Sequence, residues 1–406
     1  MHFFNKKNYI FTLALLVANS NLYARNIDFN SLFNDAWNKQ PNSQNIEISK
    51  RIVDLSQKQA ISIFSQKPSI EISSSLGIEK EYNLKANFEF KNKNQRNLSL
   101  SLLDNQNISI NLEQLKDKLE FSNLLRNACW ELITVQKKLE AIQQEISFSI
   151  ILRDNIFKEY KSGIISYINF QQTEIELLKL QRSKQELDID LQDKLNKLIN
   201  ISNSNIQPDD NINMNSDLNL YQSIFSKNDQ FNVENHPIYK YQQNILENSY
   251  LQKNYLLNKP QNPITWSVGI NSKTQNKTNN SLIFGMQIPL GRDYSKEIEA
   301  SELEKKSLQQ KTQLNLLRNQ LENDFIRNKN LSISLAQQLN NLQTAINQQK
   351  QIYNSYFKGL QVGQIDMQTY LKSKQDLFNL QQDFINQTIR LEKVKSDLLQ
   401  NLGILP

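Results

Sequence analysis

The sequence predicts a mainly α-helical chain with a smaller β part, built as one unit repeated: two strands followed by a long helical hairpin. Three observations carry this. The chain holds only eight glycines and eight prolines in 406 residues, and no proline lies between Pro68 and Pro208 or between Pro289 and Pro406, so long stretches are free of helix breakers. A shift of 200 residues sets the chain in register with itself without a gap: Ile146 meets Ile346, Phe157 meets Phe357, Gly163 meets Gly363, Ile165 meets Ile365, Leu180 meets Leu380 and Leu198 meets Leu398. Such an internal repeat governs the reading of everything else. Third, the apolar period drops from that of a helix to that of a strand at matched places in both copies.

Taken in order, Met1 to Lys7 carries two lysines and no acid, Ile10 to Ala18 is apolar, and Leu22-Tyr23-Ala24 ends in a small residue. This has the pattern of a cleaved secretory signal over 1–24; the apolar run is too short for a spanning anchor. The first repeat is expected at 25–202. Leu32, Phe33, Ala36 and Trp37 mark a short amphipathic helix, and Pro41 can open the next, which runs through Ile46, Ile52 and Leu55 and stops before Pro68. Ile70, Ile72 and Leu76, then Leu84, Ala86, Phe88 and Phe90, alternate as the two strands of a hairpin at about 69–91 around Gly77. A helix from about Asn92 to Ser162 follows. Asn97 to Asn111 is rich in Ser, Asn and Ile and could pass for strands, but the gapless shift favours helix. The chain turns at Gly163 and returns as Tyr167 to Ile199.

Residues 203–232, rich in Asn, Asp and Ser, are expected to form a linker or equatorial segment between the copies. In the second repeat, 233–406, His236-Pro237 opens a helix, and strands follow at Ile264 to Ile270 and Leu282 to Ile288, within a hairpin of about 264–290 whose loop is Asn271 to Asn280. From Arg292 to Lys358 nothing breaks a helix, which would be about 100 Å long. Its tip falls near 359–363, and Met367 to Leu402 returns. Leucines and isoleucines on the returns recur every three or four residues, as in coiled-coil packing.

The mean hydropathy of -0.59 and 38% hydrophobic content exclude a polytopic helical membrane protein but permit a β-barrel, whose strands leave little trace in hydropathy. The formal charge of +6 is scattered, with no basic stripe bearing aromatics, so nucleic acid is not an expected partner. Cys129 is the sole cysteine, and His2 and His236 are the only histidines. There is no disulfide framework, no metal-ligand constellation and no phosphate loop. The expectation is a non-enzyme without cofactors or metal.

In this order and at these separations, the elements resemble the outer-membrane efflux family of TolC-like channels. Gln40-Pro41 and His236-Pro237 are similar to the family's Asn-Pro helix openings; Pro68 and Pro263 precede the first strand of each copy. Ile288-Pro289-Leu290-Gly291-Arg292-Asp293 is similar to the strand exit that feeds the long helix, and both glycine tips and the terminal Leu402-Gly403 also match. The resemblance implies a homotrimer with a twelve-stranded barrel in outer-membrane lipid and a twelve-helix α-barrel tunnel through the periplasm. That trimer would be the passive duct of a tripartite efflux or type I secretion system, coupled to a periplasmic adaptor and an inner-membrane pump of RND or ABC type. The Pro-Leu-Gly-Arg-Asp exit looks closest to the heavy-metal (cobalt, zinc, cadmium) resistance branch.

The resemblance also assigns sites. Ser162, Gly163, Ile164, Val362, Gly363 and Gln364 would meet the adaptor, although the glycines could serve only to turn the chain. Asn169, Thr369 and Lys372 fall where the family's prototype carries acids around its periplasmic aperture. This chain departs at all three, and Asp366 could supply a ring of acids or be a solvated tip residue. Phe88, Phe90, Trp266 and Phe284 could join an aromatic girdle or lipid face or simply pack outward, while Trp37 and Trp130 are expected between helices. A secreted or periplasmic coiled-coil structural or adhesive protein is the alternative, but such a rod would have no use for four matched strands.

Overall fold

The computed structural model describes residues 25–76, 80–225, 231–259, 264–274, 278–288 and 294–406. The expected signal at 1–24, the turn at Gly77 and the exit over 289–293 lie outside them. The described residues form eight α-helices: α1 (Phe29–Asn38), α2 (Pro41–Ile61), α3 (Lys93–Lys161), α4 (Tyr167–Ser202), α5 (Asn215–Phe225), α6 (Pro237–Asn258), α7 (Ser295–Gln361) and α8 (Met367–Asn401). Six strands accompany them: β1 (Asn26–Asp28), β2 (Ser69–Leu76), β3 (Lys80–Glu89), β4 (Asn211–Asn213), β5 (Thr265–Thr274) and β6 (Thr278–Gln287). The Ser- and Asn-rich start of α3 is helical throughout, as the repeat demanded.

The described residues divide into two compact units, each drawn from both halves of the sequence: those up to Lys39, within 119–231 and from 324 onward, and those within 40–118 and 232–323. In the first, α1 buries Phe29, Leu32, Phe33 and Ala36 against Leu125, Cys129 and Leu132 of α3 and Leu195 and Leu198 of α4. Asp28 starts α1 by accepting hydrogen bonds from the Asn30 and Ser31 amides, which would otherwise lack partners at a helix start. Trp37 and Trp130 are buried, and the Trp130 indole donates to Ser396 Oγ at 3.2 Å.

In this unit the segment between the copies carries structure of its own. β4 pairs in parallel with β1, and α5 occupies 215–225. Ile206, Ile212 and Met214 are buried in the main core, enough apolar anchors to order an Asn-rich stretch. A buried ion pair fastens α5: Arg126 of α3 donates from Nε to Asp217 Oδ2 at 2.7 Å and from Nη2 to Oδ1 at 3.2 Å, with side chains 2% and 1% exposed. The remaining guanidinium nitrogen donates to Ser122 and Gln400, so every part of the buried cation is satisfied.

The second unit holds a four-stranded antiparallel sheet of order β2-β3-β5-β6. The two hairpins are joined along β3 and β5, whose ten residues pair from Lys80↔Thr274 to Glu89↔Thr265. At the centre Gly269 lies so close to β3 that an added Cβ would stand 2.3 Å from the Leu84 carbonyl oxygen, which explains a glycine in mid-strand. The expected loop over 271–280 is a correction: Asn271 to Thr274 and Thr278 to Asn280 continue the strands, because backbone pairing with β3 and between the strands persists where the side chains turn polar. In the same unit His236 stands where the resemblance placed an Asn, and its Nδ1 accepts from the Ile238 amide at 3.3 Å, acting as the N-cap before Pro237 of α6.

Candidate functional site

Alternation along the strands places every second side chain on one face of the sheet. By register, Ile70 and Ile72 of β2, Leu84, Ala86 and Phe88 of β3, Trp266, Val268 and Ile270 of β5, and Leu282, Phe284 and Met286 of β6 share one face. The row Ile72, Leu84, Ile270, Leu282 crosses all four strands near their middles. These side chains are uncovered: Ile72 is 78%, Leu282 70% and Phe284 76% exposed. The opposite face carries Glu71, Ser73, Glu81, Asn83, Lys85, Asn87, Ser267, Asn271 and Ser281, with Asn271 donating to Glu81 and Lys273 paired to the same carboxylate. Of the four aromatics expected outward, Trp266, Phe284 and Phe90 are exposed, while Phe88 is half-buried and stacked on Phe64.

An apolar face that crosses four strands uncovered marks a surface that meets lipid or another protein. The ten residues of β3, β5 and β6 are also the length that crosses a bilayer when tilted; β2 has eight. Among the described residues, no helix is long and apolar enough to cross a membrane.

At the C-terminal ends of α3 and α7, in the first unit, both tips are built alike. Gly163 and Gly363 have φ of +78° and +73°, the left-handed conformation that ends a helix at low cost only in glycine. The Gly163 amide donates to Tyr160 O and the Ile164 amide to Glu159 O; the Gly363 amide donates to Leu360 O and the Gln364 amide to Gly359 O. Both helices thus close with the same paired bonds, 200 residues apart. The side chains left outside are apolar in part, with Ile164 75% and Val362 68% exposed; Ser162 and Gln364 are exposed too.

Each return helix begins with a capping side chain. Ser166 Oγ accepts from the Asn169 amide at 3.3 Å, and Asp366 Oδ1 accepts from the Thr369 amide at 2.8 Å while Oδ2 accepts from the Thr369 hydroxyl at 2.7 Å. The structure therefore joins Asp366 to Thr369, sets Asn169 at the matching position of the other hairpin, and leaves Lys372 exposed about one turn beyond. The bonds from Thr369 hold the Asp366 carboxyl below its ordinary value.

Between the hairpins a second cluster forms around Leu152, Ile156, Met367 and Tyr370. Here sequence reasoning missed a polar link. Lys374 of α8, 7% exposed in its side chain, pairs with Glu145 of α3 at 2.5 Å and donates to Ser149 Oγ at 2.6 Å. Tyr353 and Tyr370 share a hydroxyl hydrogen bond of 2.9 Å beside it, and burial pushes the Tyr370 phenol well up. Spacing alone gives no sign of this link, because the partners lie on helices from opposite repeats.

No protein-family model matches the chain, and no curated protein matches it in sequence. Solved structures do. The outer membrane protein VceC of Vibrio cholerae superposes with a TM-score of 0.72 over 92% of this chain and 96% of its own, at 14% identity. CusC, described through its folding and transmembrane channel formation, gives 0.73 over 93% and 92% at 12% identity. The outer membrane channel MtrE of Neisseria gonorrhoeae in its open state gives 0.70 over 93% and 89% at 9% identity. Over the matched residues the chain has the fold of TolC-like outer-membrane channels, in agreement with the sequence resemblance.

Proposed function

We propose that this protein is the outer-membrane channel of an export system, a passive duct through which substrates leave the periplasm. The observation that carries this is the sheet: one apolar, exposed face, one polar face, three strands of membrane-crossing length beside the eight-residue β2 and, among the described residues, two edge strands, β2 and β6, without outer neighbours. Within lipid an open edge leaves backbone groups unsatisfied, and four strands are too few to close a barrel, for which about eight is the smallest number. Copies of the chain supply the rest. Three copies give twelve strands and, from the long hairpins, a twelve-helix tunnel in the periplasm.

In this reading the exposed tips, Ser162 to Ile164 and Val362 to Gln364, receive a periplasmic adaptor bound to an inner-membrane pump of RND or ABC type. Asn169, Asp366, Thr369 and Lys372 line the periplasmic aperture, and three-fold symmetry makes each a ring. The strand exit suggests the heavy-metal-resistance branch. A protein with this role acts without catalysis, and its specificity comes from its pump and adaptor.

The test is fractionation and conductance. A heat-modifiable trimer in the outer-membrane fraction, which opens stepwise conductance in planar bilayers, is the expected result. A water-soluble extracellular rod with no conductance would sink the proposal in favour of a coiled-coil structural protein.

A further inference from the structure

We infer that Asp210 is the receptor for the α-ammonium group released when the Ala24–Arg25 peptide bond is hydrolysed, so that processing completes the clasp between β1 and β4. The inference rests on the secretion assumed by the proposed function, and on geometry that secretion does not require.

Asp210 lies at the start of β4, its side chain 3% exposed, whereas the Arg25 side chain is 57% exposed. Its Oδ1 accepts from the backbone nitrogen of Arg25 at 3.0 Å and from Arg25 Nε at 3.3 Å. Oδ2 accepts from Arg25 Nη2 at 2.7 Å and from the Gln207 amide at 2.8 Å. The Arg25 guanidinium also reaches Asn205 O, and the Asn211 amide donates to Arg25 O. A sunken carboxylate is thus aimed at the main-chain nitrogen of one residue, and that residue follows the small Ala24 at the end of a signal-like segment.

The bond change is a hydrolysis by a peptidase. Water adds across the Ala24 carbonyl, Ala24 leaves as a carboxylate on the released leader, and the Arg25 nitrogen takes up the protons to become an ammonium. Before cleavage that nitrogen offers Asp210 a neutral amide hydrogen bond. Afterwards it offers a full positive charge at the same place, and charge-assisted bonds are roughly twice as strong as neutral ones. The new charge meets a partner already in position rather than water. Because β1 leads directly into the core helix α1, the clasp fixes the first turn of the mature chain.

The test begins with the intact mass and N-terminal sequence of protein purified from the outer-membrane fraction. Arg25 as first residue is expected. An unprocessed chain would sink the secretion reading itself, and a mature N-terminus at another residue would overturn the inference alone. Acylation of the α-amine near neutral pH then reports its environment. An adjacent carboxylate raises the amine's proton affinity by about one pH unit or more, so labelling of the trimer should be about tenfold slower than of an Arg25-initiated peptide. Asp210→Asn should restore the rate. Should that variant fail to assemble, Arg25→Gln removes the guanidinium while keeping the ammonium, and protection should persist. Protection that vanishes in Arg25→Gln, or a wild-type amine that labels like the peptide, would overturn the inference.

Discussion

Leu282→Arg puts a charge at the middle of β6, on the apolar face, where Leu282 pairs with Ile270 and is 70% exposed in the single chain. If that face meets water, an exposed substitution there costs within about 0.5 kcal/mol. If it meets hydrocarbon, arginine at the midplane of a barrel costs about 2–4 kcal/mol, and three copies in one trimer multiply the effect. Taking about 3 kcal/mol per protomer, and about 1.4 kcal/mol per tenfold, the folding equilibrium in vesicles should fall by more than a hundredfold. The companion Ser281→Arg lies one residue away on the polar face, opposite Asn271, and should cost less than about 0.5 kcal/mol. Met286→Arg, near the strand end, should fall between, at about 0–1 kcal/mol. The assay is recovery of heat-resistant trimer after refolding into lipid vesicles over a urea series. Equal costs for Leu282→Arg and Ser281→Arg would refute the assignment of the apolar face to lipid.

Three further outcomes follow from the first unit. Asp217→Asn leaves the Arg126 guanidinium buried without its counter-charge, a loss of about 3–5 kcal/mol, seen as amide exchange in α5 faster by about a hundredfold or more; Arg126→Met with Asp217→Leu should recover most of it. Gly363→Ala has open space for its Cβ but forces a side chain into φ of +73°, so about 1–2 kcal/mol of strain should speed exchange at the end of α7, and Gly363→Asn should speed it less. The Asp366 carboxyl has a folded value below its unfolded one, so its contribution is fully present above about pH 4 and is lost as pH falls through the lowered value. Protection of the first turn of α8 should track that fall, and Asp366→Asn should abolish its pH dependence.

The duplication, the glycine tips and the four long strands were legible in the sequence because each has a local signature: alternation, absence of breakers, or a glycine repeated 200 residues on. The capping roles of Ser166 and Asp366 came from the structure, although both residue types favour helix starts. The order β2-β3-β5-β6 was not legible, since the pairing of β3 with β5 depends on hairpins from opposite repeats meeting. β1, β4 and α5 were hidden because their anchors, Ile206, Ile212 and Met214, are sparse among Asn, Asp and Ser. The buried charges were hidden for another reason. Arg126 and Lys374 sit in helices sprinkled evenly with lysine, arginine and acids, and their partners Asp217 and Ser149 are 91 and 225 positions away. Helical spacing cannot tell a buried cation from a solvated one when the second helix is unknown.

The most direct test of the channel is single-particle electron microscopy of the detergent-extracted protein. A three-fold hollow particle with a twelve-stranded collar, the Ile72, Leu84, Ile270 and Leu282 row facing the detergent belt, is the predicted result. A particle in which that row packs inside protein, or a solid rod or dimer without a barrel, would contradict it.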